Sequence, residues 1–336
     1  MTSGEFKVSI IIPVYNAERF VRRAAESALG QAETGEALLV EDCSQDNSLA
    51  ACKELVAENN GRARLIQHPD KKNHGAGSSR NLGIQNAKCD FIAFLDADDY
   101  YLPNRFAREK EIFCSDDSVD GVYGAHGVDL SGEGSGWWSA SGHRSGLTRM
   151  DEGVAPGDLL VEMSPLGPRG AFLTNAIVAR KRVFDKTGCL FSARQFGEDT
   201  LLWMQMAAAG KLVGGELSKA VAMRGVHAGN SIRRLSDSRR QTLEVVCEFE
   251  RWAGEKGVLD VRARRAISRA KMRLGKSWGE LFAHVWREPS LLSGAATWRT
   301  FFIWMCVRQF PEDPIAPGIF PRRRRAKQAD EPEGRK

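Results

Sequence analysis

The chain has 336 residues, of which 42% are hydrophobic and 27% charged, and its formal net charge is +5. This length and apolar content fit one large or two ordinary globular domains and exclude a wholly disordered chain. The seven cysteines form neither a C-x-x-C pair nor a metal-ligand spacing, which argues against a zinc site and a disulfide framework. We therefore expect a reducing, cytoplasmic environment.

The positive charge is concentrated in the last quarter of the chain. Residues 1–257 contain 31 Lys and Arg against 35 Asp and Glu, so the remaining 79 residues carry a net charge of +9. This asymmetry indicates that the C-terminal region faces an anionic partner, either a membrane surface or nucleic acid. A solvated helix face followed by a disordered tail would also account for it.

Strand-like apolar runs alternate with helical patterns through the first 125 residues. The runs VSIIIPVY, ALLVED, RLIQH and FIAFLD predict strands, and residues 18–29, 48–58 and 78–87 predict helices, the first capped by Asn16. We expect the first run to be a buried strand rather than a secretory signal. The alternation is typical of a mainly parallel α/β sheet flanked by helices. Ligands of such sheets bind beyond the carboxyl ends of the strands.

The pattern changes after residue 124. Residues 124–170 are rich in Gly, Ser and Pro, which predicts a long irregular segment, and two apolar segments, AFLTNAIVAR and LLWMQMAAAG, follow it. Another strand-like piece, AVAMRGVH, ends at His227. Residues 238–253 and 258–286 are predicted helices, and residues 289–307 are predicted to be an interfacial or packed helix. We predict an α/β catalytic domain over residues 1–235, a helical, basic and partly apolar region over 236–310, and a disordered basic tail over 311–336.

The hexapeptide FLDADD at residues 94–99 places three carboxylates at the end of one strand. Mg²⁺ and Mn²⁺ prefer oxygen ligands and are often held by one or two carboxylates plus substrate phosphates, which Asp96 and Asp98 could supply. The alternative is that Asp98 and Asp99 cap a helix beginning near Pro103.

Candidate binding residues also follow the neighbouring strands. Tyr15 offers a ring face on which a nucleobase could stack. Asp42 could accept the imide N–H of a uracil or form an Asx turn, while Asp46 or Asn47 caps the next helix. Arg80, in NHGAGSSRNLG, suits phosphate oxygens or a base edge. A dinucleotide fingerprint is disfavoured there, because it would need Gly or Ala at the place of Arg80 and would follow the first strand.

Two further groups lie later in the chain. Glu198 and Asp199 open the second apolar segment, where a carboxylate is either a helix cap or a general base that removes a proton from an acceptor hydroxyl. His227 could complete a metal shell or contact a diphosphate, or it could have a purely structural role. Arg233 is a further candidate contact.

The ordered motifs VSIIIPVYN, VEDCSQDNS, NHGAGSSRNLG, FIAFLDADD and GED resemble those of family 2 glycosyltransferases of the GT-A fold, over about residues 6–235. The resemblance implies an inverting enzyme that uses a nucleotide diphosphate sugar and a divalent cation. It departs from the family where Glu41 and Cys43 replace the first Asp and the Gly of Asp-Asp-Gly-Ser, so we expect an altered turn at a retained nucleoside site. By position, the resemblance assigns Pro13, Tyr15 and Asp42 to the nucleoside, Arg80 to the base and diphosphate, Asp96 to the ribose and metal, Asp98 to the metal, and Asp199 to the catalytic base.

The resemblance leads us to expect a metal-dependent hexosyltransferase, with Mn²⁺ or Mg²⁺ as cofactor and a UDP sugar as the favoured donor. The acceptor would be a saccharide or lipid-linked saccharide in cell-surface polysaccharide biosynthesis. The basic stretch 262–276 suggests peripheral docking on an anionic cytoplasmic leaflet, and no nucleic acid is expected, since no recognition motif is present.

Two alternatives stay open at this stage. A sugar nucleotidyltransferase would carry an N-terminal Gly-rich segment with Arg and Lys, which PVYNAERF lacks. A non-catalytic sugar-nucleotide or membrane-binding scaffold is disfavoured by the retained carboxylates. Trp137 and Trp138 could form a platform for a sugar ring or anchor their loop.

Overall fold

The computed structural model describes residues 5–131, 136, 146–188, 190–194, 196–227, 229–230 and 238–275. All of these residues lie within one compact unit of the chain, Met1–Leu281. Arg233, Trp137, Trp138 and the segment 289–307 lie outside the described residues, so the predictions made for them stay predictions.

Strands and helices alternate from the start of the fold, as predicted. The elements in chain order are β1 (Val8–Val14), α1 (Val21–Leu29), β2 (Thr34–Glu41), α2 (Ser48–Glu58), β3 (Ala63–Gln67), α3 (Gly75–Asn86) and β4 (Phe91–Phe94). The apolar residues of β1, β2 and β4 are buried. Continuous apolar runs of this kind are typical of parallel strands that are covered on both faces.

The later elements are shorter and include a second group of strands. They are β5 (Tyr100–Tyr101), α4 (Ala107–Ser115), β6 (Gly121–Tyr123), β7 (Ala125–Asp129), α5 (Leu159–Glu162), β8 (Ile177–Arg180), α6 (Arg182–Thr187), α7 (Glu198–Ala209), β9 (Leu212–Gly214), β10 (Ala220–Gly225), α8 (Ser238–Lys256) and α9 (Val261–Leu274). A turn of 3₁₀ helix at Thr174–Ala176 leads into β8.

The main sheet has seven strands in the order β3-β2-β1-β4-β8-β6-β9. Its strands are parallel except for β8, which runs antiparallel to both β4 and β6. The carboxyl ends of β1, β2 and β4 therefore meet at one edge. A three-stranded sheet in the order β5-β10-β7 completes the arrangement. This topology confirms the predicted mainly parallel α/β class.

Several local predictions are wrong. Asn16 does not cap α1, which begins after Phe20; instead Asn16 has a φ of 50° and its Oδ1 accepts the N–H of Gln45 at 2.7 Å. Neither Asp98 nor Asp99 caps a helix, because the chain first forms β5 and α4 starts only at Ala107. The segment predicted to be irregular contains β7 and α5.

The helices α8 and α9 pack against the same apolar core as the main sheet. Val246 and Phe249 of α8 and Ile267 of α9 are fully buried in a cluster that also contains Phe94 and Trp203. Burying a side chain of this size contributes about 1.5–3 kcal/mol, so these helices are held by the core and not by their own propensity. The domain boundaries at residues 235 and 310 stay predictions.

Candidate active site

The side chains predicted to bind a ligand follow the carboxyl ends of β1, β2 and β4. Pro13 is half-buried in β1, and Tyr15, just beyond that strand, leaves 48% of its surface exposed. A ring exposed at this edge can offer its face to a nucleobase. The turn after Tyr15 is held to the start of α2, because Ser48 Oγ accepts the N–H of Ala17 at 2.8 Å.

Asp42, directly after β2, is buried and its carboxylate is engaged by the start of α3. Oδ1 accepts the N–H of His74 and Oδ2 accepts the N–H of Gly75, each at 2.8 Å. Asp42 thus caps a helix of the neighbouring strand–helix unit, where a negative charge also favours the helix dipole. Each carboxylate oxygen has a lone pair for a second donor, but the side chain is 2% exposed and His68 Nε2 lies 3.6 Å from Oδ1, so a base N–H could bind there only if these neighbours moved.

Arg80 on α3 joins the FLDADD loop to the start of α7. Its guanidinium is buried, and it donates from Nη2 to Asp96 Oδ1 at 2.6 Å and from Nη1 to Glu198 Oε1 at 3.1 Å. It also lies 5.1 Å from the centre of the Phe191 ring. Burial would raise the pKa of Asp96, but the Arg80 charge holds that pKa below its usual value. The cluster therefore favours an ionised Asp96.

Asp98 contacts the residues that follow β10. Its Oδ2 lies 2.9 Å from His227 Nε2 and accepts from Asn230 Nδ2 at 3.2 Å. His227 Nδ1 accepts the backbone N–H of Gly229 at 3.1 Å, so the ring proton lies on Nε2 and is donated to Asp98. The structure thus brings Asp98 and His227 together, and their predicted role at a metal stays a prediction.

These residues fit a sparsely coordinated divalent cation. The described part of the chain holds no group of three or more His, Cys, Asp or Glu side chains arranged to hold a metal ion. Asp98 makes both of its contacts through Oδ2, so a cation could approach Oδ1, with Asp96 and diphosphate oxygens completing its shell. His227 could join the shell through Nε2 only in its other tautomer, with the ring proton on Nδ1, because a ligating nitrogen must present a lone pair.

Glu198 and Asp199 lie in the first turn of α7, as predicted. Asp199 Oδ1 accepts the N–H of Thr200 at 2.6 Å, and Oδ2 accepts the Thr174 hydroxyl at 3.2 Å. These bonds orient the carboxylate, which suits a general base. Burial, together with the adjacent Asp199 charge, raises the pKa of Glu198.

Sequence reasoning missed two buried asparagines beside the FLDADD loop. Asn175 accepts the N–H of Asp96 at 2.9 Å and donates to Asp99, while Asn230 donates to Asp98. Asp99 is itself buried and accepts the N–H of Gly225 at 2.9 Å. Burial and the charges of Asp98 and Asp96 raise the pKa of Asp99 well above its usual value. The available signal was the polar Asn175 inside an apolar run, since a buried amide requires partners.

Sequence comparison finds similarity to glycosyltransferases. Residues 9–158 match the family model described as Glycosyl transferase family 2. A protein named "Uncharacterized glycosyltransferase" from Rickettsia felis is 32% identical over 201 residues, covering 59% of this chain and 31% of that protein. The minor teichoic acid biosynthesis protein GgaA of Bacillus subtilis is 34% identical over 120 residues, covering 33% of this chain and 26% of that protein. These matches span less than a third of either relative.

Solved structures share the fold. Staphylococcus aureus TarS 1–349 in complex with UDP-GlcNAc aligns with a TM-score of 0.59 and 18% identity, covering 89% of this chain and 79% of that one. A mannosyltransferase from Pyrobaculum calidifontis in complex with GDP-Man and Mn²⁺ aligns with a TM-score of 0.50 and 12% identity, covering 91% and 88%. The likeness confirms the predicted GT-A type of fold.

Proposed function

The chain carries a glycosyl transferase family 2 domain in residues 9–158, and on that premise we propose that it transfers a sugar from a nucleoside diphosphate sugar to a hydroxyl of a saccharide or lipid-linked saccharide. The reaction inverts the anomeric carbon and uses Mn²⁺ or Mg²⁺. The observation that carries the proposal is the buried Arg80, which ties Asp96 of FLDADD to Glu198 beside Asp199 at the ligand edge of the sheet.

A UDP sugar is the favoured donor. The complex of TarS with UDP-GlcNAc supports this choice, and the name of GgaA supports a place in cell-surface polysaccharide biosynthesis. Tyr15 would stack on the base, Asp42 would accept its N–H, and Arg80 and Asp96 would contact the diphosphate and ribose. A cation held by Asp98 and Asp96 would neutralise the negative charge that develops on the leaving diphosphate.

Asp199 would act on the acceptor. Its carboxylate removes the proton of the acceptor hydroxyl, whose oxygen forms a bond to the anomeric carbon as the bond from that carbon to the diphosphate oxygen breaks. Thr174 and the backbone of Thr200 hold the carboxylate in a fixed orientation, so the base is already in place before the acceptor arrives.

A donor panel with an aspartate variant tests the proposal. The wild-type protein is assayed with UDP, GDP and dTDP sugars, by release of the nucleoside diphosphate, beside Asp199→Asn and the control Asp117→Asn. The Asp117 side chain is 94% exposed and lies outside the site. We expect Asp199→Asn to bind the donor but to lose at least about a hundredfold in turnover, within the range for a lost general base, while Asp117→Asn keeps full activity.

The same assay separates the alternatives. Formation of a sugar nucleotide from a nucleoside triphosphate and a sugar phosphate would identify a nucleotidyltransferase. Donor binding without transfer or hydrolysis for every sugar would identify a scaffold. Unchanged turnover in Asp199→Asn would remove that residue from the role of base.

We further propose that α9 meets an anionic membrane surface on the cytoplasmic side. Arg264, Arg265 and Arg269 are exposed and make no ion pair within the described residues, whereas other basic side chains of α9 pair with Asp158 and Glu250. Among the described residues, no helix is both long enough and apolar enough to cross a membrane. Each unpaired basic residue would contribute about 1 kcal/mol near an anionic leaflet.

Sedimentation with liposomes tests this contact. We expect the wild-type protein to sediment with vesicles of anionic lipid and not with neutral vesicles, and expect the triple variant Arg264→Gln, Arg265→Gln, Arg269→Gln to lose most of that binding. Equal recovery with both kinds of vesicle would refute the electrostatic contact.

A further inference from the structure

Asn175 is buried behind the FLDADD loop with its whole amide engaged. Its Oδ1 accepts the N–H of Asp96 at 2.9 Å, and its Nδ2 donates to Asp99 Oδ2 and lies 3.3 Å from His126 Nε2. Burial lowers the pKa of His126 to about 3, so the imidazole is neutral and Nε2 can accept the second amide proton. These three partners fix which way the amide faces.

The partners also make asparagine the side chain that fits. Aspartate has nearly the same shape, but it would have no amide proton to donate to Asp99 Oδ2 or to His126 Nε2. Alanine would leave the Asp96 N–H and the Asp99 carboxylate buried without this partner, which is unfavourable in a site shielded from water.

Asn175 is held rigidly from behind. It lies in the 3₁₀ turn Thr174–Ala176 that leads into β8, and β8 pairs with β4, the strand that leads into FLDADD. Its carbonyl accepts from Arg105 Nη2 at 3.3 Å, and Arg105 forms an ion pair with Glu109 in which both side chains have 0% exposure. The amide is therefore fixed to the same sheet as the loop that it contacts.

A chain of hydrogen bonds continues from Asn175 to the far side of the loop. Asp99 Oδ1 accepts the N–H of Gly225 at 2.9 Å. Asn230 Nδ2 donates to the Gly225 carbonyl at 3.1 Å and to Asp98 Oδ2 at 3.2 Å. A displacement of Asp99 would therefore change the position of Asp98 through β10 as well as through the peptide bond.

We propose that Asn175 is a positioning residue for the turn Asp96–Asp99. It fixes the backbone at Asp96 and, through Asp99, the place of Asp98, so that both carboxylates are presented together to a cation and a diphosphate. The role of the two carboxylates rests on the function proposed above. The hold that Asn175 has on the turn does not depend on that function and can be measured without a ligand.

Exchanging the two partners tests the proposal. Asn175→Asp removes both amide donors, and the double variant Asp99→Asn with Asn175→Asp restores an amide opposite a carboxylate, with the amide now at position 99. We expect the backbone amides of residues 95–100 to lose at least about tenfold in hydrogen-exchange protection in the single variant. The double variant should recover most of it, because an interaction energy between contacting residues appears as non-additivity.

The second readout is the binding of UDP in the presence of Mn²⁺, measured by calorimetry with and without chelator. We expect the Mn²⁺-dependent part of the affinity to fall by at least about tenfold in Asn175→Asp and to recover in the double variant, following the same non-additivity. The control is Ser9→Ala at the start of β1, where the Ser9 hydroxyl donates to Glu36 at 2.7 Å and accepts the N–H of Cys89 at 3.0 Å. It loses buried hydrogen bonds at the opposite end of the strands and should change neither readout.

The outcomes are separable. Wild-type protection of residues 95–100 in Asn175→Asp, or a double variant no better protected than the single one, would overturn the role of Asn175. If Asn175→Asp does not fold, fast exchange of the Asp96 amide in the wild-type protein would overturn it equally. A wild-type protein that binds no nucleoside diphosphate with Mn²⁺, while the exchange results hold, would refute the proposed function and support the hold of Asn175 on the turn.

Discussion

Replacing Arg80 with methionine removes a cation that Asp96 and Glu198 share. The Arg80 side chain is 6% exposed, and its contacts with the two carboxylates are 2.6 and 3.1 Å long. Breaking a buried pair by removing one partner costs about 3–5 kcal/mol, because the other charge stays buried. Two carboxylates lose their partner here, so we expect the free energy of unfolding at pH 8 to fall by an amount near the upper end of that range. Methionine can keep the packing against Phe191, so the loss reports mainly on charge.

The pH dependence has a definite sign. In the wild-type protein the pKa of Asp96 is lowered, so its contribution to stability is present above the unfolded pKa and is lost only as the pH falls through the lower folded value. Without Arg80, burial and mutual repulsion would raise the pKa of Asp96, and raise further that of Glu198. The folded variant then binds more protons than the unfolded chain as the pH falls. The difference in the free energy of unfolding between the wild-type protein and Arg80→Met should therefore decrease by about 1–2 kcal/mol between pH 8 and pH 5.5, since one pKa unit corresponds to about 1.4 kcal/mol.

Urea unfolding followed by circular dichroism at both pH values measures this effect. The matched control is Arg22→Met, because Arg22 pairs with Glu58 at 2.7 Å on the surface with 42% of its side chain exposed. Exposed ion pairs contribute little, so the control should change stability slightly and equally at both pH values. If Arg80→Met lowers the free energy of unfolding by less than about 1 kcal/mol at pH 8, or by the same amount at both pH values, the reasoning is refuted.

Two further changes test the turn Asp96–Asp99, which is proposed to bind a metal. Asp98→Asn should reduce transfer by at least about a hundredfold and remove its response to Mn²⁺, because the proposed ligand loses its charge; wild-type rates after chelation would contradict the metal role. Gly225→Ala places a Cβ 2.4 Å from the Asp98 carbonyl oxygen and 2.9 Å from Arg23 Nη2, so the turn must move. We expect a loss of about 1–3 kcal/mol in the free energy of unfolding and weaker Mn²⁺ binding, measured by urea unfolding and calorimetry. The control Gly254→Ala on α8, with no atom within 4 Å of its new Cβ, should gain up to about 1 kcal/mol and bind Mn²⁺ as before.

The alternating half of the fold was predictable because its signals are local. Strands that are buried on both faces have unbroken apolar runs in their sequence, and polar residues at the ends of these runs indicate where each strand ends. The helix Ser48–Glu58 has its predicted bounds, and Asp46, one of the two predicted caps, accepts the N–H of Ser48 at 3.0 Å. The resemblance to family 2 glycosyltransferases and the predicted ligand edge came from the order of the motifs along the same half.

The rest could not be read from local patterns because it depends on partners far along the chain. Asparagine often caps helices, yet the Asn16 side chain instead accepts the backbone N–H of Gln45 in the loop after β2. Asp99 could be a helix cap from its residue type, yet its carboxylate accepts the backbone N–H of Gly225, which is distant in sequence. Asn175 sits in an apolar run with no motif around it. In each case the deciding hydrogen bond joins residues that only the folded sheet brings together.

The candidate site residues form two groups along the chain, one inside the region that matches the family model and one beyond it. Tyr15, Asp42, Arg80 and the FLDADD loop lie within residues 9–158, whereas Asn175, Asp199 and His227 lie beyond it. The antiparallel strand β8 and the strand β10 bring this second group to the ligand edge, where Arg80 contacts Glu198, Asn175 contacts Asp96 and His227 contacts Asp98. A donor site alone could be built from the first group, but the proposed base belongs to the second. We therefore expect specificity for the acceptor to depend on residues beyond 158, so that exchanging that part with the corresponding part of a related glycosyltransferase changes the acceptor and leaves the donor unchanged.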